Sequence, residues 1–247
     1  MSKKFVIGNW KMQLNAAESA RLASAVMGGL GKSAPGVEVV LCPSYPALSA
    51  VRSALRGSRV ALGAQDVFWE SAGAFTGEVG ASQLKEIGAR YVIVGHSERR
   101  LLHETDAEIN KKLRAVLTIG LTPILCVGET AAERAAGRRN QILRRQVSLA
   151  LRGQKLAGKK LLIAYEPVWA IGTGKVCAAS EAAKAHLFIR SVAQKAASLY
   201  TLYGGSIEPK NIGGFARLDE VDGVLAGGAS LDAEKFLSLV KAFDREY

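Results

Sequence analysis

A chain of 247 residues that is 49% hydrophobic and 22% charged, with 26 Gly and only 6 Pro, has the make-up of a globular enzyme, and its length forces no division into domains. The 33 basic and 22 acidic residues give a formal charge of +11 and a pI near 9.7, a balance that favours anionic partners. No 18-residue apolar run occurs, so no segment is expected to span a membrane.

The opening "MSKKFVIGNWKM" has a short apolar run, then Asn9 and Lys11, without a small-residue cleavage site; it reads as a first strand, 5–10, rather than a signal peptide. Further β-branched, apolar runs follow at 37–42, 59–65, 90–96, 122–129, 160–166, 199–205 and 221–228, separated by Ala/Leu/Lys/Arg-rich stretches of helical character. The eight runs are continuously apolar rather than alternating, as parallel strands buried on both faces are. Starts spaced by about 20–40 residues suit strand–helix units. Eight such units without a linker predict an α/β fold, a (β/α)8 barrel forming one domain over 1–247. An open doubly wound sheet is the alternative. It would need a phosphate loop after an early strand, and "GLGKS" (29–33) follows a helix and lacks the first glycine.

The densest basic segment, "ERAAGRRNQILRRQ" (133–146), reads as one helix with a solvated face, because no aromatic residues interleave its arginines as a nucleic-acid surface would require. Cys42, Cys126 and Cys177 are an odd number without framework spacing and read as reduced, buried thiols of a cytoplasmic protein. His96, His103 and His186 are too scattered to hold a metal with them. No cofactor motif accompanies the strands, so neither a metal nor a cofactor is expected.

Barrels of this kind react where strands enter the loops that follow them. Those positions here carry Asn9 and Lys11 after the first strand, His96 after the fourth and Glu166 after the sixth, with "YGGS" (203–206) and "AGGAS" (226–230) after the last two. Glu166 ends an apolar strand and precedes Pro167; partial desolvation should raise its pKa toward that of a base at neutral pH. His96, followed by Ser97 as the expected N-cap, should be held neutral by the helix dipole and polarise a carbonyl. His103 and His186 fall in helical stretches and are given no catalytic part. Lys11 could steady an oxyanion, and the paired glycines after strands seven and eight could present N–H groups to a phosphate, helped by the final helix that "GGASL" opens. The loop Pro167, Val168, Trp169, Ala170, Ile171, Gly172, Thr173, Gly174, Lys175, Val176 and Cys177 reads as a lid whose Trp169 and Ile171 would exclude water. A carboxylate base, a neutral electrophile, a cation, a phosphate grip and a lid suit proton abstraction next to a carbonyl of a small phosphorylated compound.

In order, "GNWKM", "GAQ" with "GAFTGE", "VGHSERR", "TPILCVGET", "AYEPVWAIGTG", "YGGS" and "DGVLAGGASL" resemble the motifs of the triosephosphate isomerase family over nearly the whole chain. The resemblance implies dihydroxyacetone phosphate and glyceraldehyde 3-phosphate as substrates, Glu166 as the base, His96 and Lys11 stabilising an enediolate with Asn9 beside them, and Glu98 pairing with Lys11 or a partner's loop. Backbone N–H groups of Gly172, Ser206, Gly227 and Gly228 would hold the phosphate. It also implies a homodimer in which the segment 69–80, with Phe75 and Thr76 at its tip, reaches toward the partner's active site near Met12. Gln13, Asp66, Cys177 and Ala226 depart from the family's usual residues without removing a reacting group. Two other readings compete. A different phosphate-binding barrel, such as an isomerase of phosphorylated aminoaldoses, would not need "AYEPVWAIGTG" or His96; a basic protein that binds RNA or DNA would retain nucleic acid in a salt-sensitive way.

Overall fold

A computed structural model describes residues 3–171, 176–193 and 198–244. Eight strands, β1 (Lys4–Asn9), β2 (Val37–Cys42), β3 (Ala61–Ala64), β4 (Tyr91–Val94), β5 (Thr122–Val127), β6 (Lys160–Tyr165), β7 (Ser198–Tyr203) and β8 (Gly223–Ala226), pair in sequence order and close into a barrel. Every pairing is parallel, and β1 meets β8 through Phe5–Gly223 to Gly8–Ala226. The predicted (β/α)8 architecture is therefore the observed one. All eight predicted runs contain a strand, each within the predicted bounds to a residue or so.

The strands read as continuously apolar because successive residues serve two different cores. Phe5, Ile7, Tyr91, Ile93, Ile124, Cys126, Leu162, Ala164, Leu202 and Leu225 fill the barrel interior. Their neighbours Val6, Val92, Val94, Leu125, Leu161 and Ile163 pack outward with the helices. This two-residue alternation also determines what stands on the inward rows at the C-terminal rim. There the apolar filling stops, and the rows continue with Asn9, Gln65, Gly95, Gly128, Glu166, Gly204 and Gly227. Small or polar residues thus replace bulky ones at one level of the barrel, leaving room for a cavity on that face.

Helices cover the outside, and several start with matched caps. Asn15, Thr105 and Thr130 each accept a backbone N–H three residues ahead, while Glu18, Glu108 and Glu133 reach back to the cap. Three local expectations are corrected. The basic segment 133–146 is not one helix but parts of two, Ala131–Ala135 and Arg139–Leu151, because Gly137 adopts a left-handed backbone (φ 68°) between them. His103 lies in a turn with φ 69° rather than in a helix. "GGASL" forms its own short 3₁₀ turn, Gly228–Leu231; the helix Ala233–Phe243 begins after it and is capped by Asp232, so that helix does not turn its N-terminus toward the glycines unblocked. Among the described residues no helix is long and apolar enough to cross a membrane, and no three His, Cys, Asp or Glu side chains cluster as a metal site would.

Candidate active site

At the C-terminal rim of the barrel a cavity of about 250 Å³ is bounded by Asn9, Lys11, His96, Glu166, Ile171 and the stretches 204–208 and 227–229. Residues separated by more than 200 positions meet there because β1 and β8 close the barrel. Glu166 is 1% exposed and continues the inward row of Leu162 and Ala164. Its backbone is tied to β5, Glu166 N donating to Val127 O at 2.8 Å, and its Oε2 accepts the Ser97 N–H at 2.8 Å. Oε1 stands 3.0 Å from His96 Nε2, but the approach lacks hydrogen-bond alignment, so this buried oxygen has no hydrogen-bond donor.

The ring of His96 is the N-cap of the helix Ser97–Leu101, its Nδ1 accepting the Glu98 N–H at 3.2 Å. Ser97, the expected cap, is instead the first helical residue. The turn that enters this helix needs Gly95, whose φ of 72° and tight approach to Ile109 exclude a side chain. An accepting Nδ1 carries a lone pair, which assigns the ring proton to Nε2, facing Glu166.

The expected pKa directions are reversed in this arrangement. Burial would raise the Glu166 pKa, but the charge of His96 3.0 Å away, with the Ser97 N–H, outweighs it and holds the carboxyl below its usual range. Burial would likewise lower the His96 pKa, but the Glu166 carboxylate, joined by Glu98, raises it. The cause is mutual: the two groups stand 3.0 Å apart, and each favours the charged form of the other.

Lys11 has a left-handed backbone (φ 52°), unusual for a side-chain-bearing residue and found where surroundings enforce it. Its N–H is held by Asn9 Oδ1 at 3.1 Å and its carbonyl accepts Gln65 Nε2 at 2.8 Å. Lys11 Nζ pairs with Glu98 Oε1 at 2.5 Å, so Glu98 meets the lysine within one chain. A β-carbon on Gly227 would come 3.2 Å from Lys11 Cε, which brings the lysine stem up to the glycine rim.

Ser206 Oγ donates to Ala170 O at 2.7 Å and links the loop after β7 to the start of the expected lid. Gly228 is exposed, with open space where a side chain would stand. Pro167 is buried, Val168–Ala170 form a 3₁₀ turn, Ile171 lines the cavity, Val176 is exposed and Cys177 is buried. Gly172, Thr173, Gly174 and Lys175, the rest of the expected lid, lie outside the described residues. All three cysteines are free and buried, and burial pushes each thiol pKa up, that of Cys177 to about 11. None is an activated nucleophile.

Met12, beside Lys11, is 94% exposed; Phe75 is 43% exposed and Thr76 is exposed at the tip of their loop. Of the departures, Asp66 pairs with the buried Lys112 Nζ at 2.7 Å and with Arg99 at 3.1 Å, Gln13 is exposed, and Ala226 is buried in β8 against Gly8.

Two residues within "TPILCVGET" have a part in the site that the sequence reading did not assign. A β-carbon on Gly128 would lie 1.6 Å from Glu166 O, so the backbones of β5 and β6 can approach as they do only with glycine there. Glu129, fully buried, accepts both Tyr165 OH at 3.0 Å and Trp169 Nε1 at 2.9 Å on Oε1. The signal for both was the acid after the strand in "LCVGE", the same pattern as in "IAYE".

The family model for triosephosphate isomerase matches residues 4–243. Among curated relatives, the triosephosphate isomerase of Syntrophotalea carbinolica is 45% identical over 249 residues, covering 98% of this chain and 98% of the relative. That of Moorella thermoacetica is 46% identical over 247 residues, covering 97% and 98%. That of Carboxydothermus hydrogenoformans is 45% identical over 249 residues, covering 98% and 99%.

Proposed function

Because the chain belongs to the triosephosphate isomerase family and is an isomerase of that kind, we propose that it interconverts dihydroxyacetone phosphate and glyceraldehyde 3-phosphate through an enediolate, with Glu166 as the base. The observation that carries this reading is Glu166 Oε1, a buried carboxylate oxygen with no hydrogen-bond donor, at the cavity wall beside the Nε2 of His96.

Glu166 removes the proton from the carbon next to the carbonyl and returns it to the neighbouring carbon. His96 donates from Nε2 to the oxygens of the enediolate as charge develops on them, and the Lys11 ammonium, steadied by Glu98, balances that charge. Asn9 fixes the Lys11 backbone. Ser206, Gly227 and Gly228, with Gly172 of the lid, hold the phosphate, and closure of 167–177 over it excludes water. A substrate oxygen that takes the His96 proton breaks the His96–Glu166 contact. Burial is then opposed only by the Ser97 N–H at Glu166 and by Glu98 at His96, so the balance moves toward a raised Glu166 and a neutral His96. The reversed pKa directions described above are therefore compatible with the expected ones during reaction.

The test is Glu166→Gln in a coupled assay, with binding of inorganic phosphate measured in parallel. The side chain keeps its size and loses its basicity, so turnover should fall by several orders of magnitude while phosphate affinity stays within about twofold. Near-normal turnover would remove Glu166 from the role of base.

A further inference from the structure

We propose that Arg134 is a positioning residue for Glu166, acting through Trp169 and Glu129 on the chain either side of the base; the proposal rests on the reading of Glu166 given above. Nothing in the basic segment marks this arginine out from Arg138 or Arg145. Its surroundings do. The short helix Ala131–Ala135 is pinned by the Thr130–Glu133 cap, and Arg134 leaves it toward the barrel rim. The guanidinium lies over the Trp169 ring, 4.1 Å from its centre, and its NH1 is 3.7 Å from Glu129 Oε1.

Glu129 is the reason this matters. Oε1 takes hydrogen bonds from Tyr165, the residue before the base, and from Trp169, three residues after it. Val168 N also donates to Glu129 O at 3.1 Å. One buried acid therefore ties down both flanks of Glu166: Tyr165 directly precedes the base, and on the other side only Pro167, whose φ is restricted, separates it from the tied Val168. Oε2 is buried with no hydrogen-bond partner. A buried carboxylate with an unsatisfied oxygen depends on a nearby cation to stay in place, and the ion pair found for Glu129 is with Arg134. The same guanidinium covers the indole, so the turn after the base is held from two sides: the edge by Glu129, the face by Arg134. Without Arg134 the carboxylate loses its counter-charge and the indole its cover. Glu166 Oε1, which has no hydrogen-bond donor of its own, would shift with the turn, and displacements of the order of 1 Å at a reacting group cost roughly a hundredfold in rate.

The experiment compares Arg134→Met, which keeps an apolar stem, with Arg134→Lys, which keeps the charge but loses the planar face. The steady-state constants are measured at low and high salt. The indole N–H resonance of Trp169, identified by its loss in Trp169→Phe, is followed in the full chain. Arg134→Met should lower kcat roughly tenfold with KM within about twofold, shift that resonance, and leave the salt dependence unchanged; Arg134→Lys should recover kcat to within about threefold. Unchanged kcat overturns the proposal. So does a loss of kcat with the Trp169 resonance unmoved, or a loss that high salt abolishes, which would make Arg134 a source of long-range field only. A wild-type chain without isomerase activity overturns the reading of Glu166 itself, whereas an active wild type with an unaltered Arg134→Met variant overturns this proposal alone.

Discussion

Gly128 and His186 show how single positions govern this molecule without touching a substrate. At Gly128 the limit is space: an added methyl would occupy the Glu166 carbonyl oxygen, 1.6 Å away, and neither backbone can yield without opening the β5–β6 pairing. Gly128→Ala should therefore lower kcat at least about a hundredfold by displacing the base. Gly28→Ala, in a helix with nothing within 4 Å of the new methyl, should leave activity unchanged; equal activities in the two variants would refute the steric argument. At His186 the limit is charge. The ring is fully buried on the helix Ala179–Val192, Nδ1 lies 2.9 Å from Glu220 O, and Arg190 nearby opposes a second cation. Burial, the leading cause, lowers its pKa to about 4. The unfolded ring, with a pKa of about 6.5, takes up a proton first as the pH falls. The stability contributed by the neutral ring is complete above about pH 6.5 and is lost as the pH approaches 4. The wild type should thus lose its Tm advantage over His186→Asn between pH 7 and pH 4.5, the gap narrowing by about 5 °C for a chain of this size. Parallel Tm curves would show that His186 titrates alike in both states.

Among the secondary-structure elements, the strands were legible because each inward row has the same logic from bottom to rim. Asn9 and Glu166 stand where the apolar alternation of β1 and β6 requires another inward residue, so their chemistry could be read from position. His96 was legible as a strand-end polar group, but its capping role was not: which of His96 and Ser97 caps the helix depends on the left-handed turn at Gly95. The split of 133–146 was hidden for a related reason. Its arginines and alanines suit a helix throughout, and only the one-residue conformation of Gly137 divides it. Arg134 could not be separated from its neighbours by composition, since its distinction is a contact with Trp169, 35 positions along the chain. Contacts between consecutive βα loops are a property of barrel closure, and they supply what strand periodicity cannot carry. The same applies to the pKa reversal of Glu166 and His96, which sequence places on different strands and the closed barrel places 3.0 Å apart.

At the scale of the whole molecule, several exposed apolar side chains gather near the rim that holds the cavity. Met12 follows Lys11, Leu101 and Leu102 end the helix that begins beside His96, and Phe75 stands on the long loop after β3. That loop is an ordered structure in its own right. Phe68 pairs with Gly80, Phe68 N donates to Val79 O at 2.8 Å, and Phe75 packs on Phe68 with ring centres 4.8 Å apart. A loop stiffened around an aromatic cluster but presenting its tip to water has the form of an insertion element, and apolar groups gathered at one face favour a protein partner. We propose a second copy of this chain as that partner, because the exposed Met12, Leu101 and Leu102 adjoin Lys11 and Glu98, which pair at 2.5 Å beside the cavity. Removing 71–79 should then have two linked effects. Light scattering should change from the mass of a dimer to that of a monomer, and turnover should fall as Lys11 and His96 lose the cover over their outer side. Thermal unfolding would stay cooperative, since no strand and no row of the barrel interior is touched. A dimer of unchanged activity would mean that the loop serves another surface. A monomer of full activity would mean that each barrel completes its own site, leaving the Asn9, Gln65 and Glu98 contacts sufficient to hold Lys11.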